Sequence, residues 1–253
     1  MLSLCMIARD EEQFLDACLD TVDELVDEVI IGIDSRTTDR TADIARHWGA
    51  RVYEFHWSDS FAAARNLGLD RARGDWVLVI DPDERLLPEG RVQLERTLAS
   101  DIPEHVDAYH TLIVEHTLTG AELSRAWSSS RVFRREPQLR YVGRVHEEVR
   151  YLPDPPCTWS ERLDGGPHIV SLGSDPSLVD ERKKRRRDVR LLRLRLNDNP
   201  RDAVALCYLA LDAAADGLPR RAAVLARAAL DCGPRTLHDD RRTELQQLVK
   251  RIS

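Results

Sequence analysis

The chain has 253 residues, 42% of them apolar and 32% charged, with a formal net charge of -7. That composition excludes a disordered polypeptide, the acidic balance argues against a general nucleic-acid binder, and no apolar run approaches the ~18 residues of a bilayer span. The length suits one α/β domain with a smaller companion, since domains commonly run to ~100–200 residues.

The first half alternates strand and helix patterns. Leu2–Ala8 is a short apolar run, and Gln13–Val22 follows with helical spacing at Phe14, Leu15, Cys18, Leu19 and Val22. Glu28–Asp34 reads as a buried strand and Thr38–Trp48 as a helix stopped by Gly49. Arg51–Phe55 is a third strand, Phe61–Ala72 a small-residue helix, and Asp75–Ile80 a fourth strand. Apolar strands separated by helices predict βαβ units and a mostly parallel sheet covered on both faces. Ligands of such sheets bind beyond the carboxyl ends of the strands. Asp107–His116, Ser130–Arg134 and Tyr141–Arg150 read as further strands or extended loops, with loop signals at Pro153–Pro156 and Gly165–Pro167.

From Ser174–Asp180 onward the composition turns to helix formers, which predicts a boundary between residues 1–175 and 176–253. Leu209, Ala210, Ala213, Ala222, Ala226, Ala229 and Pro234 fit the apolar and small positions of one tetratricopeptide repeat, with Gly217 and Pro219 at its turn. Asp180–Leu196 and Leu237–Ile252 would flank it as packing helices; a generic helical hairpin is the alternative. The six consecutive basic residues Arg182–Arg187 are read as a solvated helix face, since no aromatic side chains suited to base stacking accompany them. Cys5, Cys18, Cys157, Cys207 and Cys232 are scattered without a CxxC spacing, and the N-terminus has no basic region followed by a cleavage site. A reducing cytoplasm is the expected compartment, with at most peripheral membrane contact.

Three clusters carry candidate chemistry. The strand Val77–Ile80 runs directly into Asp81-Pro82-Asp83-Glu84 at the ligand-binding edge. Carboxylates grouped there repel one another unless a cation arrives, and Mg2+ or Mn2+ bridging a diphosphate would relieve them; a solvated acidic turn is the alternative. Asp34 ends the second strand, where a carboxylate can accept from a base N–H or a ribose hydroxyl. Thr37 or Thr38 could cap the helix that follows. Asp59 or Ser60 could cap the third helix, with Arg65 and Asn66 one turn in, able to reach a phosphate or sugar or simply to face solvent.

In series these pieces resemble the family 2 glycosyltransferases of the nucleotide-diphospho-sugar transferase (GT-A) fold, in particular the group that carries a C-terminal tetratricopeptide region. Ala8-Arg9-Asp10-Glu11 stands at the family's Lys-Asn-Glu turn. Ile33-Asp34-Ser35-Arg36-Thr37-Thr38-Asp39-Arg40-Thr41 stands where Val-Asp-Thr-Gly-Ser-Thr-Asp-x-Thr is usual. Trp57 to Asn66 is similar to its Asp-Phe-Ser-x-Ala-Arg-Asn stretch, and Asp81-Pro82-Asp83-Glu84 to its Asp-Ala-Asp-Glu. Arg131–Arg134 and Tyr141–Glu147 are similar to its Arg-x-Phe-Arg and Gly-x-x-His-Glu blocks. Arg36 replaces a glycine, Pro82 stiffens the acidic motif, and Arg9-Asp10 replaces Lys-Asn.

The resemblance implies a metal-dependent, inverting transfer of a sugar from a nucleoside diphosphate, with uridine the expected carrier. The acceptor would be a protein, peptide or saccharide. It implies donor binding by Ala8, Glu11, Asp34, Arg36, Arg65, Asn66 and Asp81, and a metal held by Asp81, Asp83 and His168. Arg36 would contact phosphate if the turn is reshaped. Glu147 is the leading base for the acceptor hydroxyl, ahead of Glu148 and Asp164, and His146 would hold the leaving diphosphate. A sugar nucleotidyltransferase is a rival reading that needs a glycine-rich phosphate loop, which Ala8–Glu12 lacks. A non-catalytic helical-repeat binding protein is the other. Oligomeric state is not legible.

Overall fold

The computed structural model describes residues 1–152, 160–175, 177, 180–233, 237 and 239–252. The loop signal at Pro153–Pro156, Cys157, and the repeat position Pro234 lie outside the described residues. The chain divides into two compact units, Met1–Val142 with Glu147–Glu181, and Gly143–His146 with Arg182–Ser253. Among the described residues no helix is long and apolar enough to cross a membrane.

The first unit is an α/β layer. Strands β1 (Leu2–Ala8), β2 (Glu28–Asp34), β3 (Arg51–Phe55) and β4 (Trp76–Val79) run parallel in the order β3-β2-β1-β4. The sheet then continues through β7 (Glu122–Arg134), β6 (Ala108–His116), β11 (Ile169–Ser171) and β5 (Glu84–Leu86), with β10 (Ser160–Arg162) beside β6. β7 is antiparallel to both β4 and β6, so the second half of the sheet is mixed. The expected strand over Tyr141–Arg150 is instead an antiparallel pair apart from the main sheet, β8 (Leu139–Val142) and β9 (Glu148–Tyr151); Gly143 at positive φ leaves β8.

Period-2 alternation sorts the central strands between two cores. Leu2, Leu4, Met6 and Ala8 of β1, with Trp76 and Leu78 of β4, face a core shared with α1 (Leu15–Asp20), α2 (Thr41–His47) and α4 (Pro88–Ala99). Cys5, Val77 and Val79 face the opposite core with α3 (Phe61–Leu69), Leu139 and Tyr141. Each Leu or Ile buried this way contributes roughly 1.5–3 kcal/mol. Gly32 in β2 permits close packing of the two elements, because a Cβ there would meet the Tyr53 ring at 2.6 Å.

Helix α2 starts later than the sequence suggests, whereas α3 begins at Phe61 as read. Helix α2 begins at Thr41, and its N-cap Arg40 makes no side-chain cap bond; Thr37 and Thr38 stay in the preceding turn. Asp39 Oδ1 accepts from the Thr41 N–H at 2.9 Å in their place. Ser60 does cap α3, accepting from Ala63 N–H at 3.1 Å.

After β3 the chain returns to the other side of β1, so the strand order reverses between β1 and β4. Ligands of open α/β sheets lie at the carboxyl end of such a switch point. Glu11 follows β1 there, and Asp81 follows β4.

The second unit holds α5 (Glu181–Asp198), α6 (Ala203–Ala215), α7 (Pro219–Asp231) and α8 (Asp239–Ile252). Ala210, Ala213, Ala222, Ala226 and Ala229 are buried with Leu245 and Leu248 in one core. Their small size lets the α6 and α7 backbones approach closely. The segment 143–146 belongs to this unit: Arg195 Nη1 donates to Val145 O at 2.6 Å, and Arg144 pairs with Asp198 at 2.6 Å.

Candidate active site

The turn after β1 is laced to the turn after β2. Asp10, at positive φ, accepts from Thr38 N–H at 2.8 Å, and Glu11 N–H donates to Thr41 Oγ1 at 2.7 Å. Glu12 accepts from Arg40, and its own N–H donates to Asp39 at 3.0 Å. These bonds fix the ends of β1 and β2 as one rim. Ala8, the last residue of β1, is itself buried and brings only backbone to it.

Asp34 closes β2 and is 3% exposed. Arg36 clamps it: Nε donates to Oδ1 at 2.9 Å, Nη2 to Oδ2 at 2.5 Å, and the Arg36 backbone N–H also reaches Oδ1 at 3.0 Å. The guanidinium bonds hold the Asp34 carboxyl below the usual carboxylate range. Arg36 lies over the Trp57 ring, 5.6 Å from its centroid.

Beyond β4 the acidic turn meets two guanidinium groups. Arg65 of α3 gives Nη2 to Asp81 Oδ1 at 2.9 Å and Nε to Glu147 Oε1 at 2.7 Å. Arg131 of β7 reaches Asp81 Oδ2 at 3.5 Å and Glu84 Oε1 at 2.6 Å. Burial pushes the Asp81 carboxyl up, but Arg65 and Arg131 outweigh it and bring it down to about 2. Glu84 turns inward, 2% exposed, and its Oε2 accepts from the Asp81 N–H at 2.8 Å. It braces the turn and is no candidate ligand. Arg65 Nη1 and Arg131 Nε are buried without a partner among the described residues.

Glu11 carries the opposite perturbation. Burial, then the charges of Asp83 and Asp81, lift its carboxyl to about 8. The switch point therefore has a net negative field that Arg65 and Arg131 do not cancel at Glu11. Asp83 is held by its own backbone: its C=O accepts from Leu172 N–H at 2.9 Å. Gly173 leaves no room for a Cβ beside Asp83 Oδ2.

Three residues are placed otherwise than expected. His168 is 2% exposed; Nδ1 accepts from Leu112 N–H at 2.9 Å and Nε2 donates to Asp164 O at 3.1 Å. Both ring nitrogens are committed to backbone, and His168 precedes β11 whereas Asp83 meets the residue after it, so it is not grouped as a metal ligand. Asn66 uses both ends of its amide on the backbone of Tyr141, at 3.0 and 2.9 Å, which anchors β8 to α3 rather than offering a sugar contact. His146 belongs to the helical unit, stacked on Tyr208 with ring centroids 3.5 Å apart. Burial, with Arg195 next, lowers its imidazole to about 3. A neutral ring has lost the charge with which it would hold a diphosphate.

The sequence reading assigned no role to Arg131 or the buried Glu84. No local signal marks Arg131: it sits on a strand of mixed composition, and only the pairing of β7 with β4 brings it to Asp81 and Glu84. Of the runner-up bases, Glu148 pairs with Arg150 at 2.5 Å.

Residues 3–143, more than half of the chain, match the family model described as Glycosyl transferase family 2. The chain belongs to glycosyl transferase family 2. A TPR repeat-containing protein of Synechococcus elongatus is 36% identical over 207 residues, 80% of this chain and 49% of that protein. The SPbeta prophage-derived glycosyltransferase SunS of Bacillus subtilis is 28% identical, over 78% of this chain and 46% of its own. This family 2 chain thus spans about half the length of these curated relatives. Among solved structures, mannosyltransferase PcManGT from Pyrobaculum calidifontis, in complex with GDP-Man and Mn2+, shares the fold. Its TM-score is 0.54 at 17% identity, covering 99% of this chain and 85% of that one. TarS of S. aureus superposes with a TM-score of 0.51 at 12% identity, covering 98% of this chain and 52% of TarS.

Proposed function

We propose that the first unit is a metal-dependent, inverting glycosyltransferase that takes its sugar from a nucleoside diphosphate. The observation that carries this is the alignment of Glu11, Asp34 and Asp81 at the carboxyl ends of three adjacent parallel strands, β1, β2 and β4. Asp34 meets the nucleoside; Arg65, with its unpartnered Nη1, and the Asp81–Asp83 turn meet the diphosphate.

A divalent cation fits this set. Among the described residues no three His, Cys, Asp or Glu side chains form a closed cage. Mg2+ or Mn2+ on a diphosphate needs only one or two protein carboxylates, the rest being phosphate oxygens and water. Glu11 is lifted to about 8 first by burial and then by the charges of Asp83 and Asp81, and a cation placed among these carboxylates would relieve the second part. Asp83 and Glu11 are the proposed ligands, because both carboxylates stand at the switch point and the Asp83 charge is the first charge that raises the Glu11 carboxyl. When bound, the cation would neutralise the leaving diphosphate. Glu147 is the proposed base for the acceptor hydroxyl, and Arg65 holds its carboxylate in place.

The second unit is proposed as a tetratricopeptide-like helical module. Such modules commonly present surfaces to polypeptides, so a protein or peptide acceptor is favoured over a saccharide. A cytoplasmic location goes with this reading. The test is a donor screen that follows nucleotide release, together with thermal shifts by nucleoside diphosphates with and without Mn2+. If no nucleoside diphosphate shifts the melting temperature while a partner protein does, a non-catalytic binding role replaces this one.

A further inference from the structure

We propose that Arg36 makes the nucleoside end of this site select a base with two neighbouring hydrogen-bond acceptors, guanine O6 and N7 or cytosine O2 and N3, and discriminate against uracil. The inference rests on the proposed donor site and deepens it. The carboxyl end of β2 places Asp34, 3% exposed, where a base would be met. A carboxylate left open there accepts from an imide N–H such as that of uracil. In this chain both oxygens already accept from the Arg36 side chain, and Oδ1 from the Arg36 backbone as well. Uracil would have to displace a guanidinium from a buried carboxylate, exchanging a bidentate charged pair for one N–H bond.

The clamp also creates a new reading surface. Arg36 engages Asp34 through its Nε–Nη2 edge, and Nη1 has no hydrogen-bond partner among the described residues. The side chain is 46% exposed, so that outer edge is open to a ligand. A guanidinium edge presents parallel N–H donors, which match paired acceptors; guanine O6/N7 is the pairing arginine makes most often on bases. Uracil offers a donor between two separated carbonyls, and adenine an acceptor beside an amine, so neither matches.

The guanidinium is also held in place. Trp57 lies beneath it, and that ring is fixed by Trp57 Nε1 donating to Asp59 Oδ1 at 2.9 Å and by an edge contact with Phe61 at 4.8 Å. A donor edge fixed in advance loses little on binding.

The experiment is titration calorimetry of GDP, CDP, UDP and ADP, each with Mn2+, against the full chain and its Arg36→Gly and Arg36→Lys variants. The unsubstituted protein is expected to bind GDP or CDP at least about tenfold tighter than UDP, the lower range of one bidentate base contact. GDP against CDP tells which acceptor pair is used. Arg36→Gly should close that gap from both sides, weakening GDP or CDP and tightening UDP as Asp34 is uncovered. Arg36→Lys keeps a cation beside buried Asp34 but lacks the planar fork, so it should also lose the preference, and it decides the matter if the glycine variant folds poorly. UDP binding as tightly as both others in the unsubstituted protein, or a preference that survives both substitutions, overturns the inference and leaves the donor site standing. Failure of every nucleoside diphosphate to bind any of the proteins removes the proposed function and this inference together.

Discussion

Arg65 Nε lies 2.7 Å from Glu147 Oε1 while Nη2 of the same guanidinium lies 2.9 Å from Asp81 Oδ1. One side chain on α3 thus joins the turn after β4 to the proposed base, the residue immediately before β9. All three are largely buried, Arg65 at 11% and Glu147 at 12% side-chain exposure. Replacing Arg65 by Met would leave two carboxylates short of a cation in a poorly solvated place. Removing one partner of a buried pair costs about 3–5 kcal/mol. Arg65→Met is therefore expected to lower the melting temperature by roughly 10 °C and to abolish nucleotide release. Arg65→Lys, with one ammonium in place of a fork, should fold better and still lose most activity. A Met variant as stable and active as the parent would dissolve the link.

Asp81 and Asp83 sit two positions apart but have different partners, so their alanine variants should separate. Asp81→Ala removes the shared acceptor of Arg65 and Arg131, and both stability and metal-dependent nucleotide release are expected to fall. Asp83→Ala, which leaves Arg65 and Arg131 their shared acceptor, should abolish the metal-dependent release with a smaller loss of stability than Asp81→Ala. Persistence of release in both variants would remove these residues from the site.

Glu11 makes a pH prediction with a definite sign. Its folded carboxyl is lifted to about 8 from an ordinary 4.5. Between those values the folded chain holds a proton that the unfolded chain has lost, so this group's contribution to stability declines as pH rises through that window. Below it, folded and unfolded chains are both protonated and the contribution is complete. Glu11→Gln should therefore melt higher than the parent at pH 8.5 in EDTA and match it near pH 4. Mn2+ should narrow the difference at pH 8.5, since a cation compensates the ionised glutamate and not the amide. A melting curve for the variant that tracks the parent across pH would show that the Glu11 carboxyl is not raised.

The strands were legible because period 2 and period 3.6 are written in apolar spacing: β3 spans Arg51–Phe55 as read from the sequence, and β1 Leu2–Ala8. The start of α2 was not, because the helix begins only after the turn in which the Thr37 N–H bonds the Asp34 carbonyl and Thr38 bonds Asp10 across the rim. The carboxylates at the rim were legible by position after strands. Their partners were not. Nothing local distinguishes Arg36, which clamps the residue two before it, from an arginine that faces phosphate. Arg131 comes from a strand fifty residues beyond Asp81, brought alongside β4 by antiparallel pairing that no spacing announces. His146 and Glu147 are neighbours in sequence and fall in different compact units.

His168 shows the same gap between residue type and role, and it can be tested. A histidine after a glycine pair invites a ligand assignment, but the structure binds Nδ1 to the Leu112 N–H and Nε2 to the Asp164 carbonyl, tying β11 to β6 and to the turn before it. Its backbone carbonyl accepts from Leu87 N–H at 2.9 Å, and Gly90 of α4 packs so closely on its backbone that a Cβ there would meet the His168 carbonyl oxygen at 2.5 Å. His168→Ala would strand a buried N–H and a buried C=O, each costing about 1–3 kcal/mol. The expected outcome is a melting temperature lower by several degrees, with the Mn2+ dependence of nucleoside-diphosphate binding unchanged at a temperature where the variant is folded. If His168→Ala instead keeps its stability and loses the Mn2+ dependence, the imidazole reaches the metal in the bound state and both backbone bonds must break to let it.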